Sequence, residues 1–186
     1  MTKSLLIIVL ILITSIDTYA EGTVYKRSEW KHWIDADKDC QDTRQEVLIA
    51  ESLIPVTMDN RNCKVTRGRW FCVYTGKFYS DPKILDIDHL IPLKHAHISG
   101  GSQWSKERKK EYANYLKNPR NLIAVYRGAN RSKGARAPHK WMPTFKPYIC
   151  SYLQDWVMIK HEWNILTSIL EQEFIEKTFT EQKCFP

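Results

Sequence analysis

The chain has 186 residues, with 28 Lys and Arg against 21 Asp and Glu, for a net charge of +7. It is long enough for one domain with its own core, and beyond the N-terminus no segment is apolar enough to span a bilayer. The basic balance favours acidic partners, namely nucleic acid, anionic surfaces or anionic glycans.

The chain opens with Lys3, the apolar run Leu5–Ile13 and the small-residue boundary "TYA". A short basic start, a short apolar stretch and a small residue predict a secretory signal cleaved after Ala20. That leaves residues 21–186 as a single exported domain, secreted or periplasmic, with no stable membrane association after cleavage. Its charge stays +7, because the signal carries one base (Lys3) and one acid (Asp17). Export permits disulfides, and none of the cysteine spacings is CxxC, which disfavours a thiolate zinc site. Five cysteines allow several two-bridge arrangements and the sequence does not choose among them. The expected bridges are Cys40–Cys63 and Cys150–Cys184, with Cys72 free.

In chain order, "DTRQEVLIAESL" (42–53) predicts a helix capped by Asp42, with Val47, Ala50 and Ile54 on its apolar face. "CKVTRGRWFCVYTGKFY" (63–79) predicts β-structure turning at Arg67-Gly68 and Thr75-Gly76. "ILDIDHLIP" (84–92) is a short strand closed by Pro92. "WSKERKKEYANYLKN" (104–118) is a charged helix capped by Ser105 and stopped by Pro119. A second strand, "NLIAVY" (121–126), leads through "ANRSKGARAP" (129–138) into a short helix. From Tyr152 a long helix follows, with Tyr152, Trp156, Ile159 and Trp163 on one core-facing side.

Asp88-His89 ends one strand, Asn121 begins the next, and Asn130 begins a helix nine residues later. Phosphodiester hydrolysis needs a cation on the phosphate oxygens and a base for the attacking water. An Asp carboxylate and an Asn carbonyl suit a hard, oxygen-ligated cation such as Mg²⁺ or Mn²⁺. Neutral His is a competent base near neutral pH, and a carbonyl on its other nitrogen would hold the tautomer, a task open to Asn121.

The segment "DIDHLIPLKHAHISGGSQWSKERKKEYANYLKNPRNLIAVYRGANRSKGARAPHKWMP" (86–143) resembles the HNH, or ββα-metal, nucleases. Within them it is similar to the family of the GmrSD restriction enzyme's C-terminal domain, which includes many exported bacterial proteins. The likeness extends upstream through "WIDADKDCQDTRQEVLIAESL" and "GRW..VYTG" and weakly into the C-terminal helix. It implies an α+β fold: a ββα-metal core at about 84–140 with added helices, an N-terminal β-hairpin region and disulfide support. His89 then matches the general base, Asp88 the metal-binding carboxylate, Asn121 the residue that orients the base, and Asn130 the second metal ligand. The chain lacks the extra cysteines that hold a structural zinc in some HNH nucleases, and Cys72 stands where another residue type is expected.

Other residue patterns point less clearly to chemistry. His95 and His97 with His89 form an array across a proline-broken loop, without a carboxylate or thiolate to favour zinc. "DADKD" (35–39) lacks the Gly and distal Glu of a calcium loop and reads as a solvated turn. Arg44 and Glu46 read as structural support or phosphate contacts. Arg131, Lys133 and Arg136, at an expected helix start, are candidate phosphate contacts, with surface charge as the plainer reading.

The reading is a secreted, metal-dependent HNH endonuclease. Water deprotonated by His89 attacks phosphorus, and a cation on Asp88 and Asn130 neutralises the transition state and the leaving 3′ oxygen. The resemblance implies 5′-phosphate and 3′-hydroxyl products. DNA with little sequence preference is the expected substrate, RNA a second one, and an immunity or inhibitor protein a further partner; the oligomeric state stays open. The alternative is a catalytically inactive nucleic-acid-binding protein on the same scaffold.

Overall fold

The computed structural model describes residues 24–184, so the expected signal peptide lies outside the described residues. The fold is α+β. In chain order the elements are α1 (Thr43–Glu51), β1 (Thr57–Met58), β2 (Val65–Arg67), β3 (Trp70–Cys72), β4 (Lys77–Tyr79), β5 (Leu85–His89), α2 (Leu93–Ile98), α3 (Lys106–Ala113), β6 (Leu122–Tyr126), α4 (Arg127–Lys133), α5 (Ile149–Trp163) and α6 (Ile169–Gln182). The strands pair as three antiparallel two-stranded ribbons, β1 with β2, β3 with β4 and β5 with β6.

The β5–β6 ribbon organises the molecule. Its register sets Leu85 opposite Tyr126, Ile87 opposite Ala124 and Asp88 opposite Ile123. Because strand side chains alternate between faces, Leu85, Ile87, Leu122 and Ala124 share one face and pack with Val47, Leu48, Val65 and Trp70. The other face carries Asp86, Asp88, Ile123 and Val125. Ile123 and Val125 join the larger core around Tyr152, Leu153, Trp156 and Ile159 of α5. Helix α4 packs against both strands. A two-stranded ribbon leaves unpaired N–H groups along its outer edges. On β6 the Ala124 N–H is taken by Glu51 Oε2 at 2.8 Å and the Tyr126 N–H by Cys72 Sγ at 3.2 Å. Cys72 is the free cysteine, and its burial has this packing and bonding cause.

Two bridges, Cys40–Cys63 and Cys150–Cys184, tie α1's approach to β2's and the start of α5 to the end of α6. Among the described residues no helix is long and apolar enough to cross a membrane.

Several local expectations shift. Asp42 caps α1, accepting from Gln45 N. The helix, however, buries Thr43, Val47 and Leu48, while Ala50 and Ile54 are exposed. The β-structure of 63–79 divides between two ribbons, because β2 turns back onto β1 and only β3 and β4 form the hairpin through Gly76 (φ 68°). Helix α3 ends at Ala113, well short of Pro119. Asn114 leaves the helix because its side chain is claimed elsewhere: Oδ1 accepts from Ile34 N and Thr43 Oγ1, and Nδ2 donates to Lys31 O. Residues 93–98, expected as a broken loop, form α2 immediately after Pro92. Asn164 in the left-handed region ends α5, and α6 is a separate helix capped by Ser168.

Candidate active site

β5 ends in Asp88 and His89, which alternate to opposite faces of the ribbon and meet again at its end. There they line a cleft of about 340 Å³ together with Asn130, Arg131, Tyr25 and Arg27. Asp88, Asn130 and Arg131 come together because α4 crosses the Asp86–Asp88 face.

Asp88 is 5% exposed. Its Oδ2 accepts from Tyr74 Oη and from Lys133 Nζ, each at 2.6 Å. Lys133 is wholly buried and also donates to His89 O at 3.0 Å. Burial pushes the Asp88 carboxyl up and the Lys133 ammonium down, and their mutual attraction counters both. Both bonds fall on Oδ2, so Oδ1 is the carboxylate oxygen available to a cation. Asn130 Nδ2 donates to Asp86 Oδ2 at 3.2 Å, which leaves the Asn130 carbonyl oxygen as an acceptor. A carboxylate oxygen and an amide oxygen on one cleft form a hard donor set that fits Mg²⁺ or Mn²⁺, with water and phosphate completing the shell.

His89 is held on three sides. Its Nε2 lies 2.9 Å from Ala113 O. A carbonyl only accepts, so Nε2 carries the proton and Nδ1 the lone pair. Trp33 stacks over the ring at 5.6 Å and 15°, and Tyr112 at 6.2 Å and 17°. Burial lowers its pKa to about 3, against the opposing pull of the Ala113 carbonyl, and the nearby cations Arg27 and Lys133 add to the fall. The imidazole is therefore neutral at ordinary pH.

The His89 ring is held by the Ala113 carbonyl and not, as expected, by the Asn121 side chain, whose Oδ1 has no hydrogen-bond partner among the described residues. Asn121 is buried, its Nδ2 donates to Tyr112 O at 3.2 Å, and its backbone carbonyl accepts from Leu90 N at 3.0 Å. It thus fastens the end of β5 to the end of α3, one residue before the Ala113 carbonyl that accepts from His89 Nε2. Arg131, Lys133 and Arg136 do not stand at a helix start either. α4 begins at Arg127, so Arg131 and Lys133 occupy its last turn and Arg136 follows it. Lys133 is no surface phosphate contact, because it is buried against Asp88. Arg131 and Arg136 are exposed; Arg131 Nε lies 3.8 Å from Asp86 Oδ2, and Arg136 Nε donates to Lys133 O.

The lighter candidates fall outside this cleft. His95 sits against Glu171 (3.8 Å) and Trp156, and His97 against Tyr25 and Trp30. Asp35, Asp37 and Asp39 form an exposed acidic cluster. Arg44 donates to Pro82 O and Leu85 O, bracing the start of β5. Tyr25, Arg27, Trp33 and Tyr74 are site residues that the sequence did not single out, although Trp33 opens the segment "WIDADKDCQDTRQEVLIAESL" and Tyr74 lies in "VYTG".

A model of the GmrSD restriction endonuclease C-terminal domain matches residues 38–177. The chain belongs to this family. Asp88, His89, Asn121 and Asn130 all fall within the matched region, whereas Tyr25, Arg27 and Trp33 precede it. This member is also similar to a protein of Arthroderma benhamiae named "Uncharacterized secreted protein", at 34% identity over 148 residues, covering 80% of the chain and 71% of that relative. No solved structure matches it.

Proposed function

We propose that this chain is an extracellular, metal-dependent endonuclease of the HNH type that hydrolyses phosphodiester bonds in nucleic acid, DNA foremost. In this reading β5, β6 and α4 are its ββα core. One observation carries the reading: Asp88, His89 and Asn130 converge on a single cleft with His89 in the tautomer that leaves Nδ1 free to accept a proton. Family membership supports the nuclease class, and the two disulfides and the secreted relative support an extracellular setting.

The chemistry follows from the side chains. His89 Nδ1 takes a proton from the attacking water as its oxygen approaches phosphorus, and the Ala113 carbonyl steadies the imidazolium that forms. Asp88 and Asn130 would hold the divalent cation, which supplies positive charge to the phosphate oxygens. Lys133 and Tyr74 fix the Asp88 carboxylate, so that its free oxygen is already oriented. Exposed Arg131 and Arg136 would meet backbone phosphates without reading sequence. As the P–O bond to the leaving 3′ oxygen breaks, that oxygen takes a proton from solvent.

Supercoiled plasmid incubated with the purified mature chain tests this. Nicking and linearisation in Mg²⁺, abolished by EDTA, are expected. Salt-dependent plasmid binding without cleavage in Mg²⁺ or Mn²⁺ would instead identify a nucleic-acid-binding protein.

A further inference from the structure

The family match begins at residue 38, yet part of the cleft wall comes from before it: Tyr25 and Arg27 line the cleft with Asp88, His89 and Asn130. The segment carrying them is firmly anchored. Trp30 is wholly buried, its ring against His97, Trp104 and Tyr112. Glu29 pairs with buried Lys109 at 2.9 Å. Asn114 holds both sides of the following bend, donating to Lys31 O and accepting from Ile34 N. Between these anchors, Trp33 takes a left-handed backbone (φ 57°) and lays its ring on His89.

His32 determines what Arg27 can do. Its Nδ1 lies 2.8 Å from Trp30 O, so Nδ1 carries the proton and Nε2 the lone pair. That lone pair accepts from Arg27 Nη2 at 3.3 Å. A neutral imidazole therefore steadies the guanidinium without cancelling its charge, and the Tyr25 hydroxyl is its other hydrogen-bonding neighbour. Arg131, the other cleft arginine, faces the Asp86 carboxylate at 3.8 Å. Among the described residues Arg27 makes no ion pair with a carboxylate. Its charge is also felt at His89.

We propose that Arg27 grips the scissile phosphate, offering two N–H donors to its non-bridging oxygens, and that His32 is the positioning residue that aims it. A planar guanidinium matches the phosphate fork in a way that a lysine ammonium does not. The rate half of the inference rests on the nuclease reading; the binding half does not.

The test uses the whole mature chain and the variants Arg27→Ala, Arg27→Lys and His32→Ala, with thermal melting to follow the fold. Cleavage of duplex DNA in Mg²⁺ gives kcat and KM, and binding of a labelled duplex in EDTA over a range of salt gives the log–log slope. Arg27→Ala is expected to lower kcat/KM by about 10²-fold and the salt slope by about one unit. Arg27→Lys should restore the slope but not kcat. His32→Ala should keep the slope and lose less kcat than Arg27→Ala. A wild type that cleaves nothing, with Arg27→Ala still lowering the slope, would end the nuclease reading and leave Arg27 as a phosphate contact. A slope and a rate unchanged in Arg27→Ala would overturn the proposal.

Discussion

Lys133 is wholly buried although it stands between exposed Ser132 and Gly134 in a stretch that reads as solvated charge. Its ammonium neutralises Asp88 at 2.6 Å, so the site's carboxylate enters the core as half of a pair. Removing one partner of a buried pair strands the other charge, which costs far more than the pair itself contributes. Asp88→Ala should therefore destabilise the fold by about 3–5 kcal/mol. Adding Lys133→Met, which exchanges the whole pair for apolar groups, should recover most of that loss while activity stays absent. Urea unfolding measures both, and an Asp88→Ala protein as stable as wild type would contradict the buried pair. The identities at the cleft were legible in sequence, since Asp88, His89 and Asn130 have the spacing of a strand end and a helix. Their supporting contacts were not: Ala113 contributes only a carbonyl, and a backbone oxygen carries no mark in a sequence.

At the scale of elements, β5 and β6 were legible as short apolar runs, β5 closed by Pro92 and β6 buried on both faces, and α5 because Tyr152, Trp156, Ile159 and Trp163 recur at helical spacing with every one buried. The ends of α3 and the division of β1–β4 into two ribbons were not, because long-range bonds such as those of Asn114 decide them. The β6 edge depends on another such bond. Glu51, mostly buried, accepts from Ala124 N, and burial raises its pKa from about 4.5 to about 7, the hydrogen bond opposing. Between those values the folded chain binds a proton that the unfolded chain releases, so stability is full at low pH and is lost as pH rises through 7. Glu51→Gln keeps an acceptor for Ala124 N without a charge. It should be more stable than wild type at about pH 8, by about 1–3 kcal/mol after allowance for partial exposure. Its unfolding free energy should also vary less between about pH 5 and pH 7. Equal pH dependence in the two proteins would show that Glu51 titrates as a solvated carboxylate.

At the scale of the whole molecule, the net charge of +7 gives a general attraction for polyanions, and exposed Arg131 and Arg136 would focus it near the cleft. Each phosphate contact releases a counterion, so Arg131→Ala and Arg136→Ala should each reduce the log–log salt slope of duplex binding by about one unit, equally on unrelated sequences. Fluorescence titration at several salt concentrations reads this; unchanged slopes would move the binding surface elsewhere. Basicity alone says nothing of chemistry, which in the proposed reading depends on one buried, neutral imidazole packed between Trp33 and Tyr112 and oriented by the Ala113 carbonyl. The most direct measurement compares wild type and His89→Ala under single turnover on duplex DNA in saturating Mg²⁺. The account predicts a rate about 10²–10⁴-fold lower in the variant, with duplex binding retained. A variant cleaving at the wild-type rate would contradict it.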